Sequence, residues 1–111
     1  MATSTPWGKS QLTHRIAKGI ILYSTASHGG IHLSEKRQKE IKEKFPNFVN
    51  FLGRPAWWEE DCDVALVVVA FKDCFSESSF KKAMEVVSKD NYFATARTSQ
   101  YWRVITGEVA A

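Results

Sequence analysis

The stretch from Trp57 to Phe71 constrains the fold more than any other part of the chain. Four acids fall within five positions, Glu59 to Asp63, and lead directly into the longest apolar run, Val64 to Phe71. A helix would hold those acids in its first turn, where free N–H groups and the positive end of the macrodipole favour negative charge. A buried, β-branched strand over Val64 to Phe71 is the open alternative, because periodicity alone does not separate the two structures. We favour a helix over residues 58–72. The residues that would share one of its faces are Trp58, Cys62, Ala65, Leu66 and Val69.

Composition is that of one compact domain spanning residues 1–111, with residues 1–5 expected to fray. The 111 residues are 44% hydrophobic and 13% aromatic, enough for a core of its own. No apolar run approaches the length of a membrane span and the N-terminus lacks a signal-peptide pattern, so we expect a cytoplasmic protein with no membrane contact. Two cysteines, Cys62 and Cys74, are too few for a disulfide framework, and we expect both to be reduced and packed in the core.

The first third of the chain alternates as strands do. Residues 10–16, 19–25 and 31–33 are predicted to form a three-stranded antiparallel meander. Lys18-Gly19 would make the first tight turn, and the segment from Ser27 to Gly30 would make the second, because glycine accepts turn conformations that other residues avoid.

Helical patterns follow the meander. Ser34 is the predicted cap of a helix over 35–45 that Pro46 ends. A second helix is expected over 77–90, capped by Ser76 or Ser78, because its apolar residues recur with helical spacing. A short helix over 99–106 is preferred to an edge strand. The irregular segment between Pro46 and residue 56 is expected to tuck Phe48, Phe51 and Leu52 under the core. The fold class is therefore α+β, with the meander packed against three to four helices.

Lysines dominate the helix over 35–45. The simplest interpretation is a solvated surface, and the alternative is a basic docking face formed by Lys36, Lys39 and Lys42. The net charge of +3 permits contact with nucleic acid without predicting it.

Three stretches together resemble a known family. They read Thr5-Pro6-Trp7-Gly8, then Ser24-Thr25-Ala26-Ser27-His28-Gly29-Gly30-Ile31 with Leu33-Ser34, and Trp58-Glu59-Glu60-Asp61-Cys62. They are similar to the motifs of a domain-of-unknown-function family found largely in proteins of phages, plasmids and other mobile elements. The resemblance implies a mobile-element origin and carries over no catalytic residue.

The candidate site combines His28 with the acids of the central stretch. If the acids Glu59, Glu60 and Asp61 faced His28 across a cleft, they would make a general acid/base set or a divalent-metal site. The simpler interpretation is a turn histidine and acids that only favour a helix start. Cys62 beside His28 could be a nucleophile with its base, although core packing explains this cysteine better. No zinc-type ligand spacing and no nucleotide-binding loop occurs, so no structural metal and no cofactor is predicted.

Two classes of function fit these features. The favoured one is a small accessory protein that binds a host protein, such as an inhibitor of a host defence or regulatory protein. The residues expected to bind are His28, Gly29, Gly30, Glu59, Glu60, Asp61, Lys36, Lys39 and Lys42. The alternative is a small hydrolase or metal-dependent enzyme. Its catalytic candidates are His28, Glu60 and Cys62, with Glu59 and Asp61 beside them.

The apolar run yields a test of the core. Val68→Asp should unfold the domain, because burying an unpaired carboxylate costs several kcal/mol against a total stability of roughly 5–15 kcal/mol. Thermal melting followed by circular dichroism measures the effect. An unchanged melting temperature would show that the run is not core.

Overall fold

The computed structural model describes residues 3–110, which form an α+β fold. A four-stranded antiparallel sheet in the order β3-β4-β5-β6 and a separate two-stranded hairpin, β1-β2, accompany four helices. The strands are β1 Ser4–Thr5, β2 Gly8–Lys9, β3 Leu12–Ala17, β4 Ile20–Ser24, β5 Gly29–Leu33 and β6 Trp57–Glu59. The helices are α1 Glu35–Lys44, α2 Val64–Ala70, α3 Glu77–Lys89 and α4 Gln100–Ile105. The predicted fold class is confirmed.

The central stretch is a strand followed by a helix, so the predicted helix over 58–72 is wrong at its start. β6 pairs with β5, with Ile31 opposite Trp58. Helix α2 begins only at Val64, and its first turn holds no acid. Residues 57–59 form a strand and not the first turn of a helix, because β5 has a free edge whose backbone groups need hydrogen-bond partners. Trp58 and Cys62 therefore do not share a helical face with Leu66. The helical form of the apolar run is confirmed over Val64–Ala70.

The meander is present, but its second turn differs from the prediction. Gly19 has a φ of 82° in the turn between β3 and β4, as expected. Gly29 and Gly30, however, belong to strand β5 and are buried. A Cβ at Gly30 would clash with the Trp58 carbonyl and the Trp7 indole. This glycine thus serves close packing across the sheet and not a turn.

The two faces of the sheet have different neighbours. One face carries Ile20, Ile31 and Trp58, which are buried in the core with the helices. On the other face Trp57 contacts Tyr23 at 5.7 Å and Trp7 of the β1-β2 hairpin at 5.8 Å between ring centroids. Alternation along β6 therefore sends Trp58 inward and Trp57 to the opposite face.

The predicted helix caps are confirmed. Ser34 and Ser76 accept hydrogen bonds from the backbone N–H groups three residues later, at 3.3 Å and 3.1 Å. Ser99 does the same at the start of α4. These caps satisfy N–H groups that a helix start leaves free. Helix α1 ends at Lys44, before Pro46.

Helix α2 is the buried centre of the fold. Leu66, Val67 and Val69 have no exposed surface. Its last carbonyls are satisfied from neighbouring helices, because Tyr101 Oη donates to the Val69 carbonyl at 3.0 Å and Lys44 Nζ donates to the Ala70 carbonyl. Packing and these bonds, more than helix propensity, hold seven mostly β-branched residues in a helix.

The close approach at Gly30 predicts a specific defect. Gly30→Ala should lower the free energy of unfolding by about 1–3 kcal/mol, because the methyl group would displace the Trp7 indole or spread the strands. Urea unfolding and tryptophan fluorescence measure the two effects, with Ser24→Ala in the adjacent strand as the control. A variant with unchanged stability and emission would show that Trp7 does not rest on Gly30.

Candidate functional site

His28 lies in the loop between β4 and β5, where its backbone is fixed and its side chain is exposed. Thr25 supplies both anchors: its backbone N–H donates to the His28 carbonyl at 2.8 Å, and its Oγ1 accepts from the His28 N–H at 3.1 Å. The imidazole makes none of these bonds. It is therefore free to contact the acids of the next segment.

Strand pairing brings the acids of the central stretch to His28. Glu59 pairs with Gly30 across β5 and β6, and the Glu60 N–H donates to the Gly29 carbonyl at 3.0 Å. As a result, potential ligand atoms of His28, Glu59 and Asp61 all lie within 4.8 Å of one another. The two motifs meet in space, as the functional hypothesis required. They meet through a sheet and not through a helix start.

Glu60 points to a different place from its neighbours. The group that includes His28 contains Glu59 and Asp61, but not Glu60. The Glu60 carboxylate lies over Gly29, 3.0 Å from where a Cβ on that glycine would stand. Because Glu60 follows the last residue of β6 and its carboxylate turns toward Gly29, Glu59 is the better placed partner of His28.

Cys62 donates a hydrogen bond to the carboxylate of Glu59. Its Sγ donates to Glu59 Oε2 at 3.1 Å, and the Asp61 N–H donates to the same oxygen at 3.0 Å. Burial, together with the hydrogen bond to Glu59, raises the pKa of the Cys62 thiol to about 12. The thiol is thus protonated at neutral pH, which does not favour the nucleophile hypothesis. Cys62 and Cys74 are both free and half-buried.

Asp63 is the one fully buried acid of the stretch, and its sequence position did not distinguish it from the neighbouring acids. Its carboxylate accepts from the Phe51 N–H at 3.2 Å, from the Glu59 N–H at 3.3 Å and from the Tyr92 hydroxyl. Burial raises the pKa of Asp63, while these hydrogen bonds act in the opposite direction. Asp63 thereby ties the candidate cluster, through Glu59, to the loop that follows α1.

A groove of about 740 Å³ runs between α1 and that loop. Its lining residues are Glu35, Gln38, Lys39, Ile41, Lys42, Glu43, Phe45, Phe48, Val49, Asn50, Gly53, Pro55 and Trp58. Of the predicted basic face, Lys39 and Lys42 line the groove and Lys36 lies outside its lining. Lys42 Nζ donates to the Pro46 carbonyl at 2.9 Å, so it also fixes the start of the loop.

The loop beside the groove alternates inward and outward side chains. Phe48 and Asn50 are buried, whereas Val49 is 71% exposed and Phe51 is 70% exposed. Asn50 Nδ2 donates to the carbonyls of Arg54 and Trp57 at 2.8 Å and 2.7 Å, which holds the loop in place. The expectation that Phe51 would be buried is wrong, because its backbone is held by Asp63 with the ring pointing outward.

The fold and these two surfaces define a small α+β domain with an apolar groove and a histidine–carboxylate cluster. The chain belongs to the family described as a domain of unknown function, DUF7007, which matches residues 1–111. No curated protein and no solved structure matches it. Between residues 3 and 110, no helix is long and apolar enough to cross a membrane.

The hydrogen bonds of Asp63 predict its effect on stability. Asp63→Ala should cost about 3 kcal/mol or more, because three donors lose their acceptor at about 1–3 kcal/mol each. Asp63→Asn should lower the free energy of unfolding by less than Asp63→Ala does. The amide keeps one acceptor oxygen, and the Tyr92 hydroxyl can itself accept from the new N–H₂ group.

Urea unfolding measures both changes, with exposed Asp61→Ala as the matched control at about 0.5 kcal/mol or less. Equal losses at Asp61 and Asp63 would contradict the central role of the buried carboxylate.

Proposed function

We propose that the chain is a protein-binding module that captures an apolar segment of a host protein in the groove beside α1. The observation that carries this proposal is the exposure of two apolar side chains on one loop whose backbone is fixed: Val49, 71% exposed, lines the groove, and Phe51, 70% exposed, lies outside its lining. Neighbouring apolar side chains held in water are typical of interaction surfaces.

The fixed backbone adds to the affinity such a surface can reach. Phe51 donates its N–H to buried Asp63, and Asn50 is anchored by two hydrogen bonds. The exposed side chains therefore lose little backbone entropy when a partner covers them. An aromatic side chain presented in this way is the usual centre of a protein interface.

The groove indicates the chemistry of the partner. Phe48 and Trp58 stack at 6.1 Å between ring centroids and form part of an apolar floor. The α1 side of the groove carries both signs of charge, from Lys39 and Lys42 and from Glu35 and Glu43. Lys36 lies one turn before Lys39 on the exposed surface. An amphipathic helical segment that places one acidic residue against Lys39 fits these features, with apolar burial giving affinity and charge giving orientation.

The resemblance of the three motifs to a mobile-element family supports a host protein as that partner. On this proposal, the chain acts in the cytoplasm of the host cell as an accessory protein of a phage or plasmid. Its proposed role is inhibition of a host defence or regulatory protein. This role is proposed by analogy with such accessory proteins and not from the fold.

The alternative function is a small metal-dependent hydrolase that uses His28, Glu59 and Asp61. One observation favours it, the approach of their ligand atoms to within 4.8 Å. Such an enzyme would need to hold its substrate beside these side chains. The groove, in contrast, is lined by Trp58, whose side chain leaves the opposite face of β6.

Site-specific photocrosslinking tests the proposed surface. A photoreactive phenylalanine analogue replaces Phe51 in one variant and Leu12 in a control, because Leu12 is 72% exposed on strand β3. We expect one host protein to be crosslinked from position 51 and not from position 12. Crosslinking to a second copy of the chain, to nucleic acid, or equally from both positions would contradict the proposal.

The purified partner then permits a quantitative test by calorimetry. Phe51→Ser should weaken binding by about 30-fold, the effect of losing an interface anchor of about 2 kcal/mol, whereas Leu12→Ser should change it less than twofold. Lys39→Glu should also weaken binding, and its effect should shrink as salt is added, because the Debye length is only about 10 Å at 0.1 M. Equal losses for Phe51→Ser and Leu12→Ser would contradict the groove as the binding surface.

A further inference from the structure

We propose that His28, Glu59 and Asp61 form a binding site for one divalent transition-metal ion of the manganese-to-zinc series. Potential ligand atoms of the three side chains lie within 4.8 Å of one another. They come from two separate segments, the β4–β5 loop and the end of β6, that the sheet holds together.

The mixture of donors indicates this class of ion. One imidazole nitrogen and two carboxylate oxygens suit manganese, iron, cobalt, nickel or zinc better than calcium or magnesium, which take mainly oxygen. Three protein ligands would leave the remaining positions to water. That number of ligands is typical of open sites and not of closed structural zinc sites.

The side chains are close enough to reach the geometry of a metal site by small rotations. Bonds of about 2.1 Å place neighbouring ligands roughly 3.0 Å apart around an octahedral ion and about 3.4 Å apart around a tetrahedral one. The present separations of up to 4.8 Å exceed these values by at most about 1.4 Å for the tetrahedral ion and about 1.8 Å for the octahedral one. Since His28 and Asp61 are exposed, their side chains can move by this amount at low cost.

Glu59 is the fixed ligand of the set. Its Oε2 already accepts from the Asp61 N–H and the Cys62 Sγ, at 3.0 Å and 3.1 Å. Both bonds go to one oxygen, so Oε1 retains its lone pairs for an ion. The half-buried carboxylate is thus oriented before any ion binds, which lowers the cost of binding.

The two carboxylates have no positive partner of their own. Within residues 3–110 the ion pairs join Arg37 to Glu40, Lys81 to Glu77 and Lys89 to Glu85, and none includes Glu59 or Asp61. Two neighbouring negative charges repel one another, and a bound cation would remove that repulsion. Other acids of the described residues, such as Glu60, also lack an ion pair, so the cluster is distinguished by the closeness of its two carboxylates to each other and to His28.

Binding of Mn²⁺ alone tests the site directly by NMR. The paramagnetic ion should broaden the imidazole signals of His28 at substoichiometric concentration while those of His14 change little. His14 is an internal reference, because it is exposed on β3 and belongs to no such group. Broadening of His14 to the same degree as His28 would overturn the proposal.

Calorimetry with Mn²⁺ and with Zn²⁺ tests the ligands one at a time. We expect one ion per chain, and Asp61→Asn and His28→Ala should each weaken binding at least tenfold. Glu60→Gln removes the same charge from the adjacent residue, whose carboxylate lies over Gly29, and should change affinity less than threefold. Cys62→Ser should also retain binding, because the thiol serves as a donor to Glu59 and not as a ligand.

Two results would overturn the site. Equal losses for Glu60→Gln and Asp61→Asn would show a diffuse attraction between acids and cations, and titrations that do not saturate would show the same. Thermal melting of each variant separates loss of ligand from loss of fold. Phe51→Ser should leave ion affinity unchanged, so the outcome is independent of the protein-binding proposal.

Discussion

The buried carboxylate of Asp63 is the interaction on which the arrangement of this domain depends. A charged group without exposed surface is costly unless hydrogen bonds replace its water, and here the donors come from three different parts of the chain. The Glu59 N–H belongs to β6, the Phe51 N–H to the loop beside the groove and the Tyr92 hydroxyl to the segment after α3. Helix α2 begins at the next residue. Meeting the needs of one carboxylate thus fixes the positions of four segments.

Short-range rules explain why part of this fold could be predicted. The starts of helices α1 and α3 could be predicted from Ser34 and Ser76, because their side chains accept hydrogen bonds from N–H groups only three residues away. The meander follows from alternation within single strands. Strand β6 could not be recognised in this way, because three residues carry almost no periodicity and their structure depends on pairing with β5, more than twenty residues earlier. The acids that were predicted to begin a helix instead lie at the end of a strand, at Glu59, and in the turn that follows it.

The candidate site shows the same limit. The sequence left open whether its two motifs meet. In the structure His28 lies beside Glu59 and Asp61, whereas Glu60 is directed over Gly29. Which acids face the histidine is decided by where β6 ends and the turn after it begins, and the sequence pattern did not reveal that strand. The exposure of the Phe51 side chain could not be predicted for a similar reason, since it follows from a hydrogen bond to an acid twelve residues away.

The two surfaces of the domain share an anchor but not their side chains. Asp63 accepts from the backbone of Phe51 beside the groove and from the backbone of Glu59 beside the cluster. A substitution at Asp63 would therefore disturb both surfaces through the backbone. A loss of binding in such a variant would not show which of the two surfaces binds. The exposed side chains of Phe51 and Asp61, in contrast, make no hydrogen bond to Asp63. Substitutions at these two positions are the ones that can assign an activity to one surface, because they remove a contact and leave the frame in place.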